Sequence, residues 1–310
     1  MMYADCYAKG VQRLEQAGIE EAKLDARLLL EAVCHTTRQE LLAHGERPVT
    51  EEEKEVYFSA IEKRASHIPL QQITGEQDFM GLTFAVNDKV LIPRQDTEVL
   101  VEEVLRFLHD GMRILDLCTG SGCILLSLLH YSNDCRGVGT DLSAEALSVA
   151  RQNAQRLGLL VEENGQMPGL LAEQNVPLPG FLEVQESPGA VFAQGDLFAA
   201  LKAADDKFDV IVSNPPYIRS DVIPTLMEEV RLHEPGLALD GGEDGLVFYR
   251  RIVQEAPAYL NGGGMLFLEI GYDQAGDVSG LLDQAGFHDI ELVKDFTGND
   301  RVVYGTWYSA

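Results

Sequence analysis

Basic residues are scarce in this chain. Its 310 residues include 24 lysines and arginines against 50 aspartates and glutamates, which gives a formal net charge of −26. A protein that holds nucleic acid must neutralise phosphates with Lys and Arg. The composition therefore works against nucleic-acid binding, except through a local basic patch, and favours a polypeptide or a small molecule as the substrate.

Long hydrophobic runs are also lacking. No apolar run approaches the roughly 18 residues that a membrane-spanning helix needs, and the N-terminal stretch MMYADCYAKG has no basic-then-apolar secretory pattern. The five cysteines form no C-x-x-C pair and are not accompanied by clustered histidines. Because neither a disulfide framework nor a metal site is indicated, we expect a cytoplasmic protein without a metal centre or a membrane contact.

Three segments with different hydrophobic patterns follow one another along the chain. In residues 1–67 apolar residues recur three and four apart, which predicts a small helical domain. Residues 68–94 change to β-favouring residues around Gly75 and Gly81, which predicts a β-hairpin linker. Residues 95–310 alternate strand, glycine and helix, which predicts an α/β domain with a parallel sheet and helices on both faces. In such sheets ligands bind beyond the carboxyl ends of the strands.

One stretch, residues 159–190, interrupts this alternation. It carries four prolines and no clear period, and it falls between a helix and the strand that follows. The pattern predicts a surface insertion at the edge opposite the carboxyl ends of the strands. A partner-binding loop is the alternative.

The first candidate site is the loop ILDLCTGSGCI, residues 114–124. Gly120 and Gly122 remove side chains where the chain turns tightly, so that a ligand can approach the backbone N–H groups at the start of the next helix. Leu125 stands where the dinucleotide fingerprint has a third glycine, which disfavours a hydride-transfer cofactor. A plain structural turn is the alternative. The candidate cofactor-binding residues of this loop are Cys118, Thr119, Gly120, Ser121 and Gly122.

The second candidate is Asp141 in VGTDLS, at the predicted end of the next strand. A carboxylate there can accept both hydroxyls of a ribose. It could instead cap the helix that follows, but Ser143 is an equally good cap and leaves Asp141 free for a ligand. We predict that Asp141, with its neighbour Leu142, binds the cofactor.

The third candidate is GDLF, residues 195–198, at the end of the third strand. Adjacent strand ends in this layout form the wall of an adenine site. Asp196 or the nearby backbone can meet the exocyclic amine, and Leu197 can pack on the ring. A simple strand-ending turn is the alternative.

The fourth candidate is VIVSNPPYI, residues 210–218, which ends a buried strand with an amide and two prolines. Each proline lacks an N–H and holds the residue before it in an extended conformation, so the loop is stiff. The Asn214 side chain and the Pro215 carbonyl are two acceptors that suit a substrate NH₂ group, and Tyr217 can stack on the planar group that carries this nitrogen. We predict these three residues as catalytic and, with Pro216, as substrate-binding, and we predict Asn214 as cofactor-binding as well. A rigid turn with a tyrosine over the core is the alternative.

These motifs together resemble the class I S-adenosylmethionine-dependent methyltransferases, and NPPY resembles the signature of enzymes that methylate amide or exocyclic amine nitrogens. More narrowly, the chain resembles the release-factor glutamine methyltransferases, the HemK or PrmC family. The segments that carry this resemblance, in order over most of the chain, are PLQQITGEQDFMGLTF, VLIPRQDTE, ILDLCTGSGCI, GDLF, NPPYI, EPGLALDGGEDGL, YRRI, LEIG and DRVV.

The resemblance implies a Rossmann-like catalytic domain at 95–310 that binds S-adenosyl-L-methionine, releases S-adenosyl-L-homocysteine, and methylates the glutamine of a Gly-Gly-Gln loop in a peptide chain release factor. It implies that the helical domain at 1–67 helps to grip the release factor, and we expect a monomer. Three features depart from the family pattern: Cys118 stands where glycine is common, Gln95 replaces a frequent proline after Arg94, and the insertion is longer than usual. Neither Arg94 nor Gln95 has an assigned role.

Two other functions are compatible with the sequence. A nucleic-acid amine methyltransferase would use the same NPPY chemistry on adenine or guanine, although the net charge of −26 disfavours it. A catalytically silent adaptor would bind the release factor or the cofactor without turnover.

Overall fold

The computed structural model describes residues 1–161, 188–201 and 206–308. The chain forms two compact units. The first consists of Met1–Glu76 and Leu226–Glu234, and the second consists of Gln77–Thr225 and Pro235–Ala310. The division after Glu76 falls inside the segment 68–94 that the sequence predicts as a linker. Most of the predicted insertion, residues 162–187, lies outside the described residues.

The elements follow in chain order. The helices are α1 (Tyr3–Gln16), α2 (Ala22–Cys34), α3 (Arg38–Ala43), α4 (Glu51–Ala65), α5 (Leu70–Thr74), α6 (Gln95–Leu105), α7 (Cys123–His130), α8 (Ala144–Arg156), α9 (Glu228–His233), α10 (Val247–Glu255) and α11 (Ala275–Ala285). The strands are β1 (Glu76–Phe79), β2 (Leu82–Ala85), β3 (Arg113–Leu117), β4 (Arg136–Asp141), β5 (Gly189–Gln194), β6 (Phe208–Ser213), β7 (Leu260–Glu269), β8 (His288–Lys294) and β9 (Asp300–Trp307).

The first unit is a set of helices packed around one apolar core, with Leu14, Leu30 and Ile61 at its centre. The start of α4 shows why the sequence folds this way locally. Thr50 accepts a hydrogen bond from the N–H of Glu53, and Glu53 accepts one from the N–H of Thr50. This reciprocal capping box satisfies two N–H groups that a helix start would otherwise leave unpaired.

A central sheet with the strand order β5-β4-β3-β6-β7-β9-β8 forms the second unit, and β1 and β2 pair separately as a small hairpin. Strands β3 to β7 are mutually parallel. The predicted α/β fold, with helices on both faces after a helical region and a hairpin, is confirmed. Strand β9 departs from the parallel pattern: it is antiparallel to both β7 and β8, and the short turn between Lys294 and Asp300 permits only an antiparallel β8–β9 pair.

Successive residues of each central strand point to opposite faces and fill two cores. On β3, Ile114 packs with helices α6 to α8, whereas Leu115 packs with α10 and α11. Phe267 and Leu268 of β7 divide in the same way. Because both faces are covered, these strands are nearly continuously apolar. Polar side chains can therefore gather at the strand ends.

Within the described residues, no helix is both long and apolar enough to cross a membrane.

Candidate active site

A cleft of about 360 Å³ opens at the carboxyl ends of β3, β4, β5 and β6. The residue that follows each of these strands lines it: Cys118, Leu142, Gly195 and Asn214. Parallel strands end at one edge of a sheet, so four loops far apart in sequence meet there. The volume lies within the range of about 300–1,000 Å³ that is typical of small-molecule sites.

The loop from β3 to α7 turns at three residues in the left-handed region. Cys118, Gly120 and Gly122 have φ angles of 60°, 55° and 79°. For Cys118 this conformation costs about 1–2 kcal/mol relative to an ordinary backbone, which is the physical reason that glycine suits this position. Gly122 is the N-cap of α7.

Asp116 supports this loop from inside the sheet and was not predicted as part of the site. Its side chain is fully buried, and one carboxylate oxygen accepts a hydrogen bond from Thr119 Oγ1 at 2.6 Å. Burial raises the pKa of the Asp116 carboxyl to about 7, although hydrogen bonds from Thr119 and from the backbone of Leu125 oppose the shift. The available signal was an acid within the apolar run ILDL.

Asp141 joins the end of β4 to the glycine loop. Its two carboxylate oxygens accept hydrogen bonds from the N–H groups of Gly120 and Ser143, each at 2.9 Å. The Ser143 hydroxyl accepts from the N–H of Ala146 and so caps α8. Burial raises the pKa of the Asp141 carboxyl, against these backbone hydrogen bonds. Since each carboxylate oxygen has two lone pairs, Asp141 keeps acceptor capacity for a ligand in the cleft that it lines.

Asp196 and Leu197 also line the cleft. Asp196 Oδ2 lies 2.9 Å from Arg251 Nη2 of α10, so this carboxylate already has a cationic partner. Leu197 is buried with a left-handed φ of 53°, and its carbonyl accepts a hydrogen bond from Thr140 Oγ1 at 3.2 Å.

Asn214 is held by the neighbouring strand and by α6. Ser213 pairs with Leu268 in the β6–β7 ladder, so the next residues, Asn214 and Glu269, are neighbours. Asn214 Nδ2 donates to Thr97 Oγ1 at 3.3 Å. Burial raises the pKa of the Glu269 carboxyl, and the nearby side chains of Thr97 and Asn214 oppose that rise; within the described residues one Glu269 carboxylate oxygen has no hydrogen-bond partner. The amide nitrogen is therefore engaged by the protein, which leaves Oδ1 as the end for the cleft.

The backbone of Tyr217 lies in close contact with two glycines, Gly241 and Gly245. A Cβ on Gly241 would lie 2.7 Å from Tyr217 Cα, and one on Gly245 would lie 2.5 Å from the Tyr217 carbonyl oxygen. Gln274 Nε2 donates to the same carbonyl at 3.1 Å. Burial raises the pKa of the half-buried Tyr217 phenol. The DGGEDGL segment therefore supports the NPPY loop through close backbone contact.

A wall of the cleft that sequence reasoning did not assign comes from the segment after the hairpin, between Asp88 and Arg94. Val86 and Val90 pack against α8. Arg94 is the N-cap residue of α6, and Gln95 occupies the first helical position. Proline is favoured at that position because it has no N–H to leave unpaired, and a glutamine fits it as well.

The cleft brings most of the predicted residues together. Those that line it are Cys118, Thr119, Gly120, Ser121, Asp141, Leu142, Asp196, Leu197, Asn214 and Pro216. Gly122, Pro215 and Tyr217 are not among the lining residues: Gly122 caps α7, and the other two lie beside Asn214 and Pro216 in the same loop. Thr97 and Glu269 were quoted within motifs but given no role, although an acid at the end of the apolar run MLFLE was a usable signal.

Comparison with protein families gives two matches. Residues 5–75 match the family described as the PrmC N-terminal domain, and residues 108–166 match a methyltransferase domain.

Curated relatives match nearly the whole chain. A release factor glutamine methyltransferase of Caulobacter vibrioides is 40% identical over 295 residues, which cover 94% of this chain and 92% of that protein. The protein of the same name from Clostridium acetobutylicum is 39% identical over 305 residues and 98% of both chains.

Among solved structures, a release factor-specific protein-(glutamine-N5) methyltransferase from Alicyclobacillus acidocaldarius is 29% identical. It covers 73% of this chain and 100% of its own, with a TM-score of 0.38.

Proposed function

Because the chain belongs to the family of release factor glutamine methyltransferases, we propose that it methylates the side-chain amide nitrogen of the glutamine in the Gly-Gly-Gln motif of a peptide chain release factor. The methyl donor is S-adenosylmethionine. The observation that carries the proposal is Asn214, which lines the cleft while its amide nitrogen is engaged by Thr97. This arrangement leaves an oxygen acceptor for a substrate NH₂ group.

The residues of the cleft fit an adenosyl cofactor. Asp141 keeps acceptor capacity for the ribose hydroxyls, and Leu142 and Leu197 offer apolar surface to the adenine ring. The left-handed turn at Gly120 has open space where a Cβ would stand, so a ligand can approach the backbone there. Asp196, paired with Arg251, or the backbone beside it would accept from the exocyclic amine.

S-adenosylmethionine supplies an electrophilic methyl group when it is bound. The substrate amide nitrogen is a poor nucleophile, because its lone pair is delocalised into the carbonyl, so the chain must act through positioning. Asn214 Oδ1 and the Pro215 carbonyl would each accept one amide hydrogen and fix the nitrogen. The same oxygens would stabilise positive charge that develops on that nitrogen. Tyr217 would stack on the carboxamide plane.

The helical unit would contribute the grip on the release factor, and we propose that the protein acts as a monomer. Residues 5–75, which match the PrmC N-terminal domain, cover nearly all of the predicted helical domain 1–67. A formal net charge of −26 suits a protein substrate better than nucleic acid.

The direct test incubates the protein with methyl-labelled S-adenosylmethionine and either a purified release factor, DNA or tRNA. We expect label only on the release factor, and peptide mapping should place it on the glutamine of the Gly-Gly-Gln motif. Label on DNA or tRNA would identify a nucleic-acid amine methyltransferase. Binding of the release factor with no label on any of the three would identify the adaptor.

Asn214→Ala should lower kcat by about 10²-fold or more, as loss of one preorganised electrostatic partner does in other enzymes. Cofactor affinity, measured by calorimetry, should change by only about threefold, since the ribose and adenine contacts remain. The exposed Asn133, which pairs with Asp110 at the surface, provides a matched control: Asn133→Ala should leave both values unchanged. Unchanged turnover in Asn214→Ala would remove the proposed role.

A further inference from the structure

We propose that Thr97 and Glu269 are positioning residues that determine which end of the Asn214 carboxamide faces the substrate. The inference rests on the proposed function, because it concerns how Asn214 presents its oxygen. Both residues are buried, with 3% and 1% of their surfaces exposed.

An asparagine side chain can adopt two orientations that differ by a half-turn of its carboxamide. Its carboxamide is nearly symmetrical in shape, but one end only accepts hydrogen bonds and the other only donates them. A substrate NH₂ group needs the accepting end. If the carboxamide of Asn214 turned over, two donors would face each other in the cleft and the proposed contact would be lost.

Glu269 removes this ambiguity because an ionised carboxylate can only accept hydrogen bonds. Asn214 lies close enough to oppose the burial-driven rise in the pKa of this carboxyl, and one buried Glu269 oxygen has no hydrogen-bond partner within the described residues, so the amide nitrogen is the end that suits this side. The strand register fixes the pair in place, since Ser213 and Leu268 are aligned one residue earlier. A turned carboxamide would bring two oxygen acceptors together.

Thr97 strengthens the same choice from α6. Its hydroxyl oxygen accepts a hydrogen bond from Asn214 Nδ2 at 3.3 Å, and its side chain, like that of Asn214, opposes the rise in the pKa of Glu269 that burial causes. The amide end of Asn214 therefore faces Thr97 and Glu269. The hydrogen bond to Thr97 polarises the carboxamide, so Asn214 Oδ1 becomes a better acceptor for the substrate.

Burial and charged groups of both signs act on the pKa of Glu269. Burial raises the pKa of its carboxyl to about 7, and Arg301 of β9 opposes this while Asp96 of α6 adds to it. Arg301 also pairs with Asp96 at 3.2 Å and with Asp295 at 3.1 Å. Within the described residues, the phenols of Tyr217 and Tyr249 and the thiol of Cys123 also interact electrostatically with Glu269.

The test compares Thr97→Val, which keeps the shape but removes the hydroxyl, with Thr97→Ser, which keeps the hydroxyl. We expect Thr97→Val to lower kcat by about tenfold, the effect of one lost hydrogen bond, and Thr97→Ser to restore most of the rate. The KM for the cofactor should stay within about threefold, because the cofactor contacts are untouched. Equal kcat in wild type and Thr97→Val, or an equal loss in both variants, would overturn the proposal.

Glu269→Gln provides a second test through the pH profile, since glutamine can donate as well as accept. At saturating cofactor and substrate, wild-type kcat should fall as the pH drops below about 7, because protonation removes the acceptor charge. Glu269→Gln should be at least about tenfold slower and should lose this acidic limb. Asp116→Asn removes the other buried carboxyl with a pKa of about 7 and should keep the limb. Retention of the limb in Glu269→Gln would refute the assignment.

A measurement without turnover separates this inference from the proposed function. In protein labelled with ¹⁵N-asparagine, the Asn214 side-chain NH₂ signals are identified by their loss in Asn214→Asp. We expect slow hydrogen exchange of this NH₂ group in wild type and faster exchange in Thr97→Val and Glu269→Gln. Unchanged exchange in both variants would overturn the inference even if methylation occurs, whereas slow wild-type exchange without methylation would sustain it and refute only the proposed function.

Discussion

Asp141 holds the glycine loop and faces the cleft with the same carboxylate. Its contacts with the N–H groups of Gly120 and Ser143 place the loop, while Ser143 Oγ takes the capping task at α8. A carboxylate has more lone pairs than these contacts use. Asp141 is therefore free for the ligand binding that we propose, while Ser143, only two positions away, caps the helix.

Asp141→Ala tests this separation. We expect the dissociation constant for S-adenosylmethionine, measured by calorimetry, to rise by about tenfold or more, because both the ribose acceptor and the support of the loop are lost. Ser143→Ala is the local control: it removes the cap and should lower stability by about 1 kcal/mol, with little change in cofactor affinity. An unaltered dissociation constant in Asp141→Ala would leave the aspartate a purely structural role.

At the scale of elements, the NPPY loop owes its position to a second loop as well as to its own prolines. The N–H of Ile218 donates to the Leu239 carbonyl at 3.0 Å, and the N–H of Gly241 donates to the Ile218 carbonyl at 2.8 Å. Such short spacing between two backbones leaves no room for a side chain at Gly241. The NPPY loop is thus held both by its own prolines and by the backbone of Leu239 and Gly241.

Gly241→Ala should disturb the NPPY loop, which we propose to be catalytic, without touching the proposed cofactor contacts. The added Cβ would lie 2.7 Å from Tyr217 Cα and 2.9 Å from the Pro216 carbonyl oxygen, so the backbone must shift. We expect kcat to fall by about tenfold or more and stability by about 1–3 kcal/mol. Gly280→Ala, in the interior of α11 with open space around its Cβ, should raise stability by about 0.5–1 kcal/mol. Normal kcat in Gly241→Ala would show that the loop does not depend on this contact.

The elements also decide which parts of the site could be predicted from the sequence. The apolar runs and the residues that end them were sufficient to predict the sheet, the cleft edge and the positions of Asp141 and Asn214. Thr97 and Glu269 escaped notice because their partners come from α6 and β7, and no local pattern records that packing. The antiparallel β8–β9 pair was missed because an alternation of strands and helices indicates only parallel neighbours.

At the scale of the whole molecule, the first unit is built from two distant parts of the chain. Arg64 of α4 is buried and pairs with Asp25 at 2.7 Å and with Glu229 of α9. Gln72 Nε2 donates to the His233 carbonyl at 2.8 Å. Burial raises the pKa of the Asp25 carboxyl, and Arg64 opposes that shift. The segment Leu226–Glu234, which follows the NPPY loop in sequence, is thus held by the N-terminal helices.

Arg64→Ala should destabilise this unit by about 3–5 kcal/mol, because it leaves a buried carboxylate without a counter-ion. The segment around Glu228 and Glu229 should then be cut faster by a glutamate-specific protease. Arg13→Ala is the matched control, since its pair with Glu62 is exposed on both sides and contributes at most about 1 kcal/mol. Equal cleavage of both variants would show that Arg64 does not anchor the segment.

The two-part construction also fixes an order of events during synthesis. Protein chains emerge from the ribosome N-terminus first, and the helices up to Glu76 are made long before Glu229. Until that residue has been translated, the nascent helices hold an arginine that lacks one of its two carboxylate partners. The part of the protein that is synthesised first is therefore among the last to form all of its contacts.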